Sequence, residues 1–153
     1  MTRDPVCCLP SDSAQAAALA MRDRDTGIVP VIESREGRKL AGVVTDRDFC
    51  LSVVAESLNA SAVPVSDCMT PAAAVCRPDE PISNVLDLMR EQQVRRIPVV
   101  DDQDRIQGIV SLADLLRRVP VDERDMQESL RRISEPTGIP SKPRAESVRP
   151  APS

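Results

Sequence analysis

Histidine, tryptophan and tyrosine are missing from this sequence of 153 residues, and phenylalanine occurs once, at Phe49. Without histidine the chain lacks the side chain most used to move protons near neutral pH, so histidine-dependent triads and zincin-type metal sites are excluded. With so few aromatics the core has to come from Val, Ile, Leu, Ala and Met, and a bound ring would be held by aliphatic side chains and backbone. No stretch approaches 18 consecutive apolar residues, and Met1 to Pro10 lacks the apolar run of an export signal, so a soluble, cytoplasmic chain with no membrane partner is expected. Nor is there a C-x-x-C pair. The five cysteines (Cys7, Cys8, Cys50, Cys68, Cys76) are an odd set that fits a reduced compartment and buried free thiols better than a disulfide framework.

What is present is ordinary globular material, 41% hydrophobic and 29% charged, enough for one domain or two small repeated ones. The net charge of -4 argues against nucleic acid as a partner, since phosphate binding calls for a basic surface. The basic residues are almost all arginine, with only Lys39 and Lys142 as exceptions.

An internal repeat organises the chain. Shifting the sequence by 68 places sets Met1-Thr2 on Met69-Thr70, Cys8 on Cys76, Pro10 on Pro78, Met21-Arg22 on Met89-Arg90 and Pro30-Val31 on Pro98-Val99. Beyond the Pro-Val pair the first copy has two more residues in its turn, and the offset becomes 66, with Gly42, Thr45 and Asp48 on Gly108, Ser111 and Asp114. Each copy reads as β-α-β-β-α. Short apolar runs at Val6–Cys8 and Ala74–Cys76 precede amphipathic helices over Ser13–Arg24 and Pro81–Gln93, where apolar residues recur at i, i+3, i+4 and i+7. Hairpins follow, Ile28–Ile32 with Leu40–Val44 and Ile97–Val100 with Ile106–Val110, and then second helices over Asp46–Leu58 and Leu112–Val119. Pro30 and Pro98 confine the first strand of each hairpin to a sheet edge or a bulge. The expected class is α+β: repeat 1 over 1–62, repeat 2 over 63–120, a C-terminal helix over 121–135 and a disordered, proline-rich tail over 136–153.

The sharpest signal is G-h-h-[ST]-x-x-D, where h is apolar, present as Gly42 to Asp48 and as Gly108 to Asp114, each where a strand hands over to a helix. As a local device it is a helix cap, with the hydroxyl and the acid three residues on satisfying free N–H groups. As a site it places a hydroxyl and a carboxylate at a strand end, where they can hold the hydroxyls of a ribose.

On these residues, together with the twofold M-T start and the twofold hydrophobic-Pro-Val strand, residues 1 to about 119 resemble the CBS-domain family, whose tandem pairs are called Bateman modules. The resemblance implies two copies packed through their sheets as a pseudo-two-fold module, no catalytic activity, and regulatory binding of AMP, ADP, ATP or S-adenosylmethionine in clefts between the copies. It places Thr45 and Asp48 on ribose in one cleft and Ser111 and Asp114 in the other. It sets the backbone beside Pro30 and Pro98 against the adenine, with Ile28, Val29, Val44, Ile97 and Val110 as apolar walls. Arg47, inside the first motif, and Arg95 and Arg96, ahead of the second Pro strand, are the phosphate candidates, since the guanidinium fork gives paired donors. The first copy has Gly27 and Ile28 in place of that arginine pair, so the two clefts are expected to differ.

Three further expectations complete the reading. Exposed Leu51, Val54, Leu58, Leu115 and Leu116 predict a homodimer, with a protein target as a further partner. Cys8 and Cys76, equivalent in the repeat, read as buried small hydrophobes, a redox pair being the sharper alternative. The competing function is a ligand-free dimerisation or protein-interaction module in which both motifs are only caps, and a cysteine-based enzyme would need a thiolate that nothing here activates.

Overall fold

A computed structural model of the chain describes residues 1–71, 73–117 and 131. The expected C-terminal helix, apart from Arg131, and the tail lie outside the described residues, as does the end of the last helix of the second copy.

The elements run β1 (Thr2–Arg3), α1 (Ala14–Asp23), β2 (Ile28–Ile32), β3 (Leu40–Thr45), α2 (Asp46–Phe49), β4 (Thr70–Pro71), α3 (Ile82–Gln92), β5 (Arg96–Val100), β6 (Ile106–Ser111) and α4 (Leu112–Leu116). The β-α-β-β-α order therefore holds in both copies, in a mixed α and β fold with two small sheets. The leading strand is not where the apolar runs placed it. Val6–Cys8 and Ala74–Cys76 make only a single parallel step. The Cys8 N–H donates to Pro30 O and Ile32 N–H donates to Cys8 O, while Cys76 N–H donates to Pro98 O and Val100 N–H to Cys76 O.

The true leading strands are Thr2–Arg3 and Thr70–Pro71, and they are exchanged. β1 of the first copy pairs antiparallel with β6 of the second, Thr2 opposite Ile109 and Arg3 opposite Gly108. β4, at the start of the second copy, pairs with β3 of the first, Gly42 opposite Pro71 and Val43 opposite Thr70. The sheets are thus ordered β1-β6-β5 and β2-β3-β4. Pro30 and Pro98 sit on the edge strands β2 and β5, where a missing N–H costs no ladder bond.

Each sheet covers its own helices over an aliphatic core. Ala14, Ala17 and Met21 of α1 pack with Val29, Val31, Val44, Phe49 and Val53, and the segment at Val65 and Cys68 closes the same cluster. In the second copy Val85, Leu86 and Met89 of α3 pack with Ile97, Val99, Val110, Leu112 and Leu115. The copies meet through Ile32, Val100 and Ile106, flanked by Cys7, Leu9, Leu40 and Val75. Here the two hairpins bond to each other, Leu40 N–H to Asp104 O and Ile106 N–H to Arg38 O.

Equivalent positions carry equivalent backbone. Asp25 and Gln93, just past α1 and α3, are left-handed (φ 49° and 52°), as are Arg38 and Asp104 in the hairpin turns (φ 50° and 59°). The first copy departs after α2. The single helix expected over Asp46–Leu58 continues past Phe49 as a wider π turn, Cys50–Val54, in which Ala55 N–H reaches back to Cys50 O. This keeps Phe49 and Val53 in the core and leaves Leu51, Val54 and Leu58 exposed. Leu115 belongs to the core instead, and Leu116 is half-buried, so among the described residues after the two strand-to-helix joints the exposed large apolar side chains are those of the first copy.

Candidate functional site

Both motifs form complete capping boxes. At the end of β3 the Thr45 hydroxyl accepts from Asp48 N–H, while Asp48 Oδ2 accepts from Thr45 N–H at 2.8 Å and from its hydroxyl at 2.7 Å. At the end of β6 the same set recurs, with Asp114 Oδ2 accepting from Ser111 N–H at 3.1 Å and Ser111 Oγ at 2.8 Å. One oxygen of each carboxylate is enough for the cap. The other, Oδ1, has no partner among the described residues in either copy. The cap therefore orients each acid through one oxygen and leaves the other without a partner among the described residues.

The glycine that opens each motif serves the exchanged strand. No glycine of the described chain has positive φ, so Gly42 and Gly108 are not turn residues. A Cβ at Gly42 would collide with the Thr70 carbonyl oxygen and come 3.1 Å from Pro71 Cα, and one at Gly108 would fall 2.8 Å from Thr2 O. The motif thus begins where the other copy's strand crosses.

Around Ser111 and Asp114 lies a cleft of about 370 Å³, within the range of small-ligand sites. Its walls come from both copies: the Thr2–Val6 segment and the loop Arg24–Thr26 with Ile28 from the first, Arg96, Ile109, Ser111 and Asp114 from the second. The Ser111 hydroxyl above all, then its N–H and the Met1 amino group at 3.4 Å, hold the Asp114 carboxyl below its ordinary range, against desolvation, which raises it. The acid is ionised at neutral pH and ready to accept.

Several of the residues singled out from sequence stand elsewhere. Val29 and Val44 face the core of the first copy, and Ile97 and Val110 that of the second, so Ile28 is the one expected wall residue found on this cleft. Pro30 and Pro98 are fully buried, with their carbonyl oxygens engaged by the Cys8 and Cys76 N–H groups. Thr45 and Asp48 hold the equivalent place in the first copy, beside β4, and Arg47 is exposed on the first turn of α2. Arg96 lines the Ser111 cleft while Arg95 does not, although Arg95 O receives the N–H of Leu112. Sequence reasoning missed Arg3, Asp4, Arg24 and Asp25 on these walls. The M-T pair was legible, but nothing local says that the segment after it crosses to the other copy's sheet.

Cys8 and Cys76 are buried in different cores, and all five cysteines are free. Burial pushes the Cys8 thiol up to about 12, with Asp12 adding to it, and Cys76 up to about 11. Such thiols are inert. Among the described residues no cluster of three or more cysteine or acidic side chains is placed to hold a metal, and no helix is long and apolar enough to cross a membrane.

A family model for the CBS domain matches residues 1–55 and 65–121, and the chain belongs to the CBS-domain family as a tandem pair. Among its relatives, the uncharacterized protein YlbB of Bacillus subtilis is 36% identical over 124 residues, which span 81% of this chain and 82% of that protein. Among solved structures, the CBS domain pair of protein MJ0100, in complex with 5′-methylthioadenosine and S-adenosyl-L-methionine, superposes with a TM-score of 0.67 at 26% identity, covering 76% of this chain and 92% of that one. CBSX2 in complex with AMP gives 0.65 at 26% identity, covering 76% and 90%.

Proposed function

We propose that this protein is a regulatory module that binds an adenosyl ligand in the Ser111–Asp114 cleft and does not transform it. One observation carries the reading: Asp114, ionised and held by its cap through one carboxylate oxygen, lines a cleft built by both copies, and its other oxygen has no partner among the described residues. A ribose diol supplies the donors such an oxygen takes, and charge assistance makes those bonds the stronger kind. Ile28 and Ile109 give the apolar surface against which a purine can lie. The solved CBS pairs that hold AMP or S-adenosyl-L-methionine at 26% identity support the same ligand class. Thr45 and Asp48 with Arg47 form the second, differently charged position. Because one cleft draws walls from both copies, a ligand there favours one relative placement of the copies, which a second subunit across the Leu51 face or a protein target can read.

The capping boxes also favour a second reading, a ligand-free interaction module, because they give each hydroxyl and acid a complete structural role. Thermal unfolding with AMP, ADP, ATP and S-adenosylmethionine in turn separates the two. A ligand at a hundredfold excess over its Kd contributes about 2.7 kcal/mol and raises Tm by several degrees. An unchanged Tm with every one of the four would leave the interaction module standing.

A further inference from the structure

The Thr2–Val6 segment, which walls the Ser111 cleft, is anchored to a different copy at each end. Thr2 and Arg3 pair with β6 of the second copy, and Val6 packs against the core of the first. Between these anchors Asp4 turns in the left-handed region, φ 47°, which aspartate enters more readily than most residues. Its N–H donates to Gln107 O at 3.3 Å. Its carboxylate meets Arg38, whose Nη2 lies 3.0 Å from Asp4 Oδ1 and donates to Cys7 Sγ at 3.8 Å. Among the described residues this is the only ion pair made by the side chains of Thr2–Val6. Arg38 is also a junction in the backbone: its carbonyl accepts from Ile106 N–H, at the start of β6, whose other end carries Ser111. One residue of the first copy thus holds the segment with its side chain and β6 of the second copy with its backbone.

The repeat does not duplicate this arrangement. The shift by 68 sets Ala72 opposite Asp4, and the place of Arg38 is taken by Asp104, whose carbonyl accepts from Leu40 N–H in the same way. Asp104 pairs with Arg77 at 3.1 Å instead. A contact present in one copy only is not a requirement of the fold, and this one stands behind a wall of the cleft.

We propose that Arg38 is a positioning residue for the Ser111 cleft: through Asp4 and Cys7 it holds the Thr2–Val6 segment in place as a wall against the ligand. The inference rests on the adenosyl-binding reading above and adds how that wall is set. Arg38 does not itself line the cleft, so it acts through the segment. An exposed ion pair contributes little to global stability. Here it restrains one turn between two anchors, and its effect is read locally.

The test joins amide hydrogen exchange of the ligand-free full chain to calorimetric titration with AMP, ATP, S-adenosylmethionine and uncharged adenosine. The variants are Arg38→Gln and Asp4→Asn, since asparagine also tolerates the left-handed turn. Arg35→Gln, which loses only a pair with Asp12 in the same hairpin, is the comparison. In the first two variants the Asp4 N–H is expected to exchange about three- to fivefold faster, and affinity to fall by a similar factor for charged and uncharged ligands alike. The double variant loses no more than Arg38→Gln alone. Arg38→Lys, which keeps a cation beside Asp4, recovers most of the loss, and Arg35→Gln matches the parent. Exchange at Asp4 unchanged in both variants overturns the positioning role. Faster exchange with every affinity unchanged overturns the link to the cleft and leaves the adenosyl reading intact. An equal loss in Arg35→Gln overturns the assignment to Arg38. Binding of none of the four ligands to the parent overturns the adenosyl reading and the role toward a ligand with it.

Discussion

Ile28 and Arg96 stand at equivalent positions of the two copies, 68 residues apart, and both line the same cleft. The pseudo-two-fold brings the first residues of β2 and β5 together, so one wall position is read twice, once as an aliphatic branch and once as a cation. Neither copy alone builds the cleft. A symmetric pair of residues would have given two alike clefts, and this pair gives an apolar side and a charged side to one.

The two motif acids are separable by what moves when each is removed. Asp48→Ala and Asp114→Ala each remove half of a capping box and are expected to cost about 0.5 to 1 kcal/mol of stability. Asp114→Ala should also weaken adenosyl binding by about ten- to a hundredfold, the loss of charged hydrogen bonds worth about 1.5 to 3 kcal/mol. Denaturant melts and titrations of both variants check this, and affinity left unchanged in both would refute the role of these acids toward ribose.

Gly42→Ala and Gly108→Ala should each destabilise by about 1 to 3 kcal/mol, because the added methyl meets the backbone of the exchanged strand. Gly37→Ala, whose Cβ would approach only the Ser34 hydroxyl at 3.1 Å, is the comparison. Urea midpoints of the three variants rank them, with Gly37→Ala expected nearest to the parent.

Stability should fall at both ends of the pH scale. Asp114 and Asp101 have carboxyls held below their ordinary value of 3.8, Asp101 chiefly by the N–H of Arg105. Their contribution is present above that value and is lost as pH falls below it. Cys8 and Cys76 titrate in the other direction, from 9.0 in the unfolded chain to about 12 and about 11 in the fold. Their contribution is complete below pH 9.0 and disappears as pH rises through those folded values. Urea midpoints measured from acid to alkaline pH should show both losses, and Cys8→Ser and Cys76→Ser should each reduce the alkaline one.

Alkylation at neutral pH followed by peptide mass mapping should mark Cys50 first, since it is exposed, and reach Cys8, Cys68 and Cys76 only in denaturant. A bond between Cys8 and Cys76 under mild oxidation would contradict their burial in separate cores.

Leu51 and Val54, 49% and 72% exposed, with Leu58 beside them, are expected to cover one another in a dimer. Light scattering at micromolar concentration should give twice the monomer mass for the parent and a lower mass for Leu51→Glu combined with Val54→Glu.

Much of this fold is legible along the chain because its signals are local. Apolar spacing marks α1 and α3, the Pro-Val strands announce edge positions, and G-h-h-[ST]-x-x-D marks both strand-to-helix joints. What escapes is non-local. Thr2–Arg3 and Thr70–Pro71 are two-residue strands without apolar alternation, made strands only by the partner they meet in the other copy. The bare glycines opposite them were the available signal, a position where a side chain is forbidden by a crossing backbone. For the same reason the place of Arg3 on the cleft is not legible along the chain: it depends on a segment that has changed sheets. Val29 and Ile97, next to the site in sequence, turn inward because neighbouring residues on a strand face opposite ways.

The exchange of leading strands also sets a timetable for assembly. Thr2 leaves the ribosome long before Ile109, and β3 is made before Thr70 arrives to border it. The first copy can bury its aliphatic core early, but its sheet gains its third strand only when the second copy begins to emerge, and β1 waits for nearly all of that copy. Closure is therefore a late step with large sequence separation, of the kind that slows folding. Once closed, the halves are clasped by backbone at both ends, and separating them means breaking two sheets rather than parting one apolar surface.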